Sequence, residues 1–305
     1  MHSAINSPLS GKSNVCVVRE FSREQLCREW LASFGIDIRP ELEGAERILQ
    51  CRCLESSLVF YEPNCVTGTS RLYAQLCRFD WYYQQQKWEH DVALRFCRGR
   101  RNLLEIGCGS GNFLRRAVRE DPGLRAVGLE INEAIGLPQS EESFELIHEK
   151  FETFAAAHEG EFDVVCAFQV LEHVADPLDF LGLCCRAAKP GGLLLLGTPD
   201  SDSFIKDSHN LLDLPPHHMS GWNKRAYEFL PRILPLRLSE VLPEPLAPYH
   251  VDYYLQTCLN RFAATSDPRK FFFQGYPRQM LRRLLLAGLR RLVKGQSMLA
   301  VYENI

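Results

Sequence analysis

The first chemical signal in this sequence is a cluster of one acid and three glycines. Glu105, Gly107, Gly109 and Gly111 lie in the run Leu103-Leu104-Glu105-Ile106-Gly107-Cys108-Gly109-Ser110-Gly111-Asn112-Phe113-Leu114. An apolar strand there passes directly into a glycine loop and then into a helix. Glycines let the backbone turn sharply and approach a ligand more closely than a Cβ permits, and the amides of the helix N-terminus point at the same place. Glu130 ends the next apolar strand, where a carboxylate can accept both hydroxyls of a ribose.

Two cofactors compete for this pattern. A dinucleotide loop, G-x-G-x-x-G, needs its third glycine at position 112, which is Asn112. A pyrophosphate would also meet an acid two residues before the first glycine. S-adenosylmethionine brings an ammonium and a sulfonium instead, and Glu105 favours both charges. The charge argument selects the methyl donor over NAD.

Three histidines can move a proton near neutral pH, the ordinary imidazole pKa being ~6.5. His173 follows Glu172 at a helix start, which also suits a structural or cofactor-edge role. His217 and His218 close Pro215-Pro216-His217-His218, in a loop after the fifth strand, with Trp222 expected to pack beside them. Open parallel sheets bind ligands at the carboxyl ends of their strands, so this loop suits an acceptor site. A hydroxyl acceptor needs a base for its proton, and His217, His218 and His173 are the candidates. No metal site is expected. The twelve cysteines contain no Cys-x-x-Cys pair, and Cys51-x-Cys53 followed by Cys65 is a poor zinc knuckle.

These residues need elements to hold them. From Asn102 onward apolar strands alternate with helical segments, the signature of a parallel α/β sheet. Strands are expected near 103–106, 126–130, 144–148, 162–168 and 192–198, with helices near 111–120, 152–158 and 176–188. Lys189-Pro190-Gly191-Gly192 reads as a turn between helix and strand. A helix near Asn223–Leu230, a strand at 236–242 and a last strand at Ser297–Tyr302 follow, with an insertion over 243–295 before the last. Upstream, Ser22 and Gln25 form a capping-box pattern for a helix through about Ser33. Ile48–Cys53 and Ser57–Tyr61 read as short strands, and Gln84–Cys97 as a helix with Trp88, Val92, Ala93 and Phe96 on one stripe.

Four segments in order resemble the class I S-adenosylmethionine-dependent methyltransferases. They are Glu105–Gly111, Gly128–Ile131, Phe162–Val174 and Lys189–Gly192. The segment ending Leu171-Glu172-His173-Val174 is most similar to the small-molecule branch, which includes ubiquinone-biosynthesis O-methyltransferases and many sugar methyltransferases. The resemblance covers about Asn102–Tyr302. It implies a Rossmann-like, mostly parallel seven-stranded sheet with an antiparallel last strand. It also implies that Gly107, Gly109 and Gly111 line the methionine end, Glu130 the ribose, and Phe151 or Glu152 the adenine edge. Phe168 and Gln169 would border the donor methyl.

The expected domains are an acceptor-shaping, mainly helical cap over 1–98 and the methyltransferase domain over 99–305. The cap distantly resembles the treble-cysteine N-terminal regions of some sugar methyltransferases but lacks their paired cysteines. Its aromatics Trp81, Tyr82, Tyr83 and Trp88 precede the core and are placed to cover a pocket. The expected activity is methylation of a small molecule at oxygen, on a sugar, a glycolipid precursor or a secondary metabolite. The alternatives are a catalytically inactive binding protein of the same fold and an NAD-dependent oxidoreductase.

Composition bounds these readings. With 46% apolar residues, 24% charged residues and a net charge of −3 over 305 residues, the chain is globular and lacks a nucleic-acid footprint. Its longest apolar run, Gly191–Gly197, is far below the ~18 residues of a membrane span. The first residues carry no apolar signal core, so a cytoplasmic setting with reduced thiols is expected. One peripheral contact remains open. Arg278, Arg282, Arg283, Arg290, Arg291 and Lys294, with leucines between them, suit a helix over 278–294 that rests on anionic lipid.

Overall fold

The computed structural model describes residues 5–79, 82, 86–132, 144–265 and 267–305. In chain order its elements begin with β1 (Val15–Ser22), α1 (Arg23–Phe34), β2 (Arg47–Cys53), β3 (Val59–Glu62), α2 (Ser70–Leu76) and α3 (Trp88–Cys97). Then come β4 (Asn102–Ile106), α4 (Asn112–Glu120), β5 (Arg125–Leu129), β6 (Glu145–Ile147), α5 (Phe151–Ala157), β7 (Phe162–Phe168) and α6 (Pro177–Ala187). The chain continues through β8 (Ala188–Pro199), β9 (Ser220–Gly221), α7 (Lys224–Phe229), β10 (Leu236–Pro245), α8 (Val251–Ala264), α9 (Gly275–Leu286) and β11 (Lys294–Asn304).

Seven strands form one sheet in the order β10-β11-β8-β7-β4-β5-β6. The pairs from β8 to β6 are parallel, and β11 runs antiparallel to β8 on one side and β10 on the other. Both faces are covered, which is why these strands read as continuous apolar runs rather than alternating ones. Successive side chains still divide between two cores. On one face Leu104, Val165, Ala167, Leu194, Leu196, Ala300 and Tyr302 pack with residues of α5, α6 and α7. On the other, Leu103, Val164, Cys166, Leu195, Leu299 and Val301 pack with α3 and α4. Phe113 of α4 is fully buried there, a burial that contributes about 1.5–3 kcal/mol.

A second, antiparallel sheet has the order β1-β2-β3-β9. The helical reading of the N-terminal region is therefore incomplete: three helices are accompanied by three strands of this sheet. Its fourth strand comes from the loop that follows β8, with Phe60 opposite Ser220 and Val59 opposite Gly221. Trp30, Ile38, Leu42 and Ile48 fill the core beneath it, together with Leu211, Leu214 and Met219 from that same loop.

Several local expectations are corrected. Ser22 stands at the start of α1 but its side chain makes no capping bond. Lys189–Gly192 is absorbed into β8 as a register shift against β7, with Gly191 at φ +74°. The basic helix stops at Leu286, because Gly288 takes φ +140° and breaks it, and Lys294 opens β11. Trp81 and Tyr83 lie outside the described residues. All twelve cysteines are free. Among the described residues no helix is long and apolar enough to cross a membrane.

Candidate functional site

The glycine loop leaves β4 at the carboxyl edge of the parallel strands. Gly107, Gly109 and Gly111 have φ of +69°, +54° and +73°, a region that L side chains enter only with strain. A Cβ on Gly107 would lie 2.4 Å from Val170 Cγ2, and one on Gly111 would lie 2.5 Å from the Phe144 ring. The loop is tied to the next strand by bonds from the Gly107 and Cys108 amides to the Leu129 carbonyl, at 2.8 and 3.0 Å.

Two buried carboxyls flank this loop. Glu130 accepts from the Gly109 amide at 2.9 Å through Oε2 and from the Asn132 amide at 2.8 Å through Oε1. Glu105, at the end of β4, is 3% exposed, and its Oε2 has no hydrogen-bond partner. Burial pushes the Glu105 pKa well above the ordinary carboxyl value; Lys87 lowers it and Glu130 raises it further. A buried acid with a free oxygen beside a cradle without Cβ atoms is a place for a cationic ligand.

The two aromatics expected at the cofactor edges are buried. Phe168 is 2% exposed and packs edge-on against Phe113 at 5.0 Å and beside His90 at 5.3 Å. Phe151 turns into the opposite core against Phe180 at 5.4 Å, leaving Glu152 exposed on the helix start. Both rings pack in the core, Phe151 at the start of α5 and Phe168 at the end of β7, the positions expected for the adenine edge and the donor methyl. Gln169 is different. It takes φ +59°, rare for a residue with a side chain, and donates to buried Glu89 at 3.1 Å. Glu89 had a sequence signal that went unread: it is an acid within the buried face of α3.

The histidines come from two segments and meet. Ring centroids lie 4.6 Å apart for His173 and His217, 4.8 Å for His173 and His218, and 4.7 Å for the stacked His217 and His218. The loop that carries the pair is anchored directly after it. The Met219 amide donates to the Glu172 carbonyl at 2.7 Å, and β9 joins the second sheet. Tyr73 Oη lies 3.3 Å from His173 Nδ1, and Tyr82 Oη lies 2.9 Å from His217 Nε2. Tyr73 has no sequence signal for this role, whereas Tyr82 belongs to the aromatic run before the core. Trp222 stacks on Tyr227 and donates to Ser220 rather than packing on the imidazoles.

Burial keeps these imidazoles neutral. It pushes His173 down to about 4, with the bond to the His217 carbonyl acting in the opposite sense. It lowers His217 and His218 well below the ordinary value, and the neighbouring histidines add to the effect. Beside them Glu172 is 1% exposed, and neither carboxyl oxygen has a partner. Burial raises its pKa to about 8.

Residues 81–231, about half of the chain, match a family model described as a methyltransferase domain. Among curated proteins, a ubiquinone biosynthesis O-methyltransferase from Aromatoleum aromaticum is 33% identical over 104 residues, 32% of this chain and 44% of that protein. One from Thiobacillus denitrificans is 36% identical over the same shares of each chain. The chain spans less than half the length of either relative. A solved SAM dependent methyltransferase from Archaeoglobus fulgidus is similar with TM-score 0.45 and 16% identity, over 77% of this chain and 95% of that one. With its glycine loop opening between β4 and α4 at the carboxyl edge of the sheet, the 81–231 segment belongs to the class I S-adenosylmethionine-dependent methyltransferase family.

Proposed function

We propose that this protein transfers the methyl group of S-adenosylmethionine to an oxygen of a small-molecule acceptor in the cytoplasm. One observation carries the reading: two buried carboxyls, Glu105 and Glu130, flank a loop of three positive-φ glycines at the carboxyl ends of neighbouring strands. Gly107, Gly109 and Gly111 would hold the methionine end, Glu105 its cationic groups and Glu130 the ribose, with Glu152 and Gln169 at the pocket edges. When bound, the cofactor supplies an electrophilic methyl on sulfur. The chain's own residues then have to position the acceptor oxygen in line with it, exclude water and take up a proton.

His173, His217 and His218 support the proton step. Each is buried or partly buried; His217 and His218 stand on the loop that leads into β9, and His173 on the turn after β7. A neutral ring nitrogen there can receive the acceptor's proton. The half-buried Tyr73 and Tyr82 and the second sheet would wall the acceptor side.

Calorimetry should give low-micromolar binding of the donor or its demethylated product and none of NAD. Labelled methyl from the donor should pass to a phenolic or sugar hydroxyl in an acceptor panel. Tight NAD binding with no heat from either donor form overturns the cofactor. Donor binding without transfer to any acceptor leaves the inactive binding protein as the reading. A peripheral role for the 278–294 segment is proposed as well, supported by the exposed apolar residues Tyr276, Met280 and Leu284 along α9.

A further inference from the structure

We propose that His173, His217 and His218 bind a divalent transition-metal cation of the zinc class through three imidazole Nε2 atoms. A ring nitrogen of each histidine lies within 4.8 Å of one from each of the others. Among the described residues no other group of three His, Cys, Asp or Glu side chains comes together in this way.

The proton positions follow from the partners. His173 Nδ1 is 2.6 Å from the His217 carbonyl oxygen, and His217 Nδ1 is 2.8 Å from the Leu212 carbonyl oxygen. A carbonyl only accepts, so both Nδ1 atoms carry hydrogen and donate it, which leaves the lone pairs on Nε2. His218 turns Nδ1 toward Asp213 Oδ1 at 3.6 Å, in the same sense. Metal-bound imidazoles are oriented by this kind of outer bond, from the far ring N–H to a backbone carbonyl or a carboxylate.

The donor set selects the ion. Three neutral nitrogens suit zinc, cobalt or nickel, whereas magnesium and calcium require oxygen ligands. Tetrahedral zinc at about 2.0–2.1 Å from each nitrogen sets the nitrogens about 3.3 Å apart. The rings would therefore have to turn and converge on the ion, and the Tyr82 hydroxyl would leave His217 Nε2. An independent observation points to a cation: Glu172, in the same turn as His173, is a buried acid with both oxygens unpartnered. Three protein ligands leave a fourth position open. That this position takes the acceptor oxygen rests on the methyl-transfer reading, and the base role of the free rings then belongs to the metal-free chain alone; the binding site itself does not rest on that reading.

The test uses the full chain, stripped with a chelator and titrated with Co²⁺ and then Zn²⁺. One equivalent of Co²⁺ should bind with the visible bands of a tetrahedral nitrogen site, and Zn²⁺ should displace it. His218→Gln should weaken binding by about 10²-fold or more, given that loss of an outer-shell partner alone costs 10–100-fold. The double variant Cys51→Ser, Cys53→Ser should bind as the parent does. Long-range ¹H–¹⁵N spectra of the parent need no variant to fold, and Zn²⁺ should shift Nε2 of three of the nine histidines. No binding at equimolar metal overturns the site, as does binding lost in the cysteine variant and kept in His218→Gln, or shifts confined to Nδ1. Donor calorimetry on the stripped chain keeps the two claims apart. Normal donor binding together with no metal binding removes only the metal site, and metal binding without donor binding removes only the proposed function.

Discussion

The two ends of the site each hold a buried glutamate, and the two are treated in opposite ways. At the glycine end both oxygens of Glu130 accept backbone amides, from Gly109 and Asn132. At the histidine end neither oxygen of Glu172 has a partner. A satisfied buried acid stabilises the loop that it grips. An unsatisfied one costs folding free energy, which a fold keeps where a ligand completes the bonds. Around Glu130 the glycine loop is thus finished by folding, whereas Glu172 at the histidine end, like Glu105 beside the loop, is left for something else to finish.

If the glycine end is a finished mould, filling it should be the most damaging change. Gly107→Ala combines a strained φ, about 1–3 kcal/mol, with a Cβ 2.4 Å from Val170 that must overpack, about another 1–3 kcal/mol. Urea melts should show stability reduced by about 2–6 kcal/mol. A change below 0.5 kcal/mol would mean that the loop relaxes and is no mould. The histidine end should answer in rate instead. His217→Ala should cut turnover by about 10²–10⁴-fold while donor affinity, read by calorimetry, stays at the parent value. Should affinity fall in parallel, the ends are not separable.

Burial as such needs a control, and Glu244 on β10 supplies one. It is 4% exposed and accepts from the Ser297 amide at 3.0 Å, remote in sequence from either end. Burial raises its pKa from 4.5 to about 7, against the bonds from Ser297 and Gln296 and with a contribution from Glu89. A carboxyl raised on folding favours the native state fully below its unfolded value and loses that favour as pH rises to the folded one. Stability should therefore decline from about pH 4.5 to about 7, by at most about 3 kcal/mol at 1.36 kcal/mol per unit. Denaturant melts of Glu244→Gln across that window should lack this part of the slope. A smaller pair of effects returns to the two glutamates. Glu130→Ala should weaken donor binding by about 1.5–3 kcal/mol, and Glu172→Met should raise stability by about 1–3 kcal/mol. Destabilisation by Glu172→Met would show that the acid is satisfied after all.

The same contrast explains what could be read from sequence. Glu105 to Gly111 is one short window, and Glu130 is one strand further on, so local pattern sufficed to bring them together. The seven strands were legible because burial on both faces makes each a continuous apolar run. The histidine end depends on distant pairing: Phe60 with Ser220, the Met219 amide with the Glu172 carbonyl, and Tyr73 against His173. No period or spacing encodes these contacts. The packing of Phe151 and Phe168 was not legible for another reason, since an aromatic at a strand or helix end has the same type whether it meets a ligand or a core. The leucine spacing past Leu286 misled too, because an apolar period is blind to a backbone break at Gly288.

The smallest expected effect lies outside both ends. The 278–294 segment holds six basic residues, but four are already engaged: Arg278 with Gln256, Arg282 with Asp252, Arg290 with the Leu246 carbonyl and Lys294 with Asp200. What α9 leaves outward is an apolar stripe at helical spacing, Tyr276 at 73%, Met280 at 52% and Leu284 at 45% exposure, with Arg283 beside it. Leu285 alone on this helix is buried, so replacing the stripe removes little packing. The triple variant Tyr276→Ser, Met280→Ser, Leu284→Ser should change stability by no more than about 0.5 kcal/mol per site. Sedimentation with vesicles containing anionic lipid should nevertheless fall from measurable to background, because insertion of such a face depends on its buried apolar area. Equal sedimentation of parent and variant would remove the lipid contact and leave the two ends of the site unaffected.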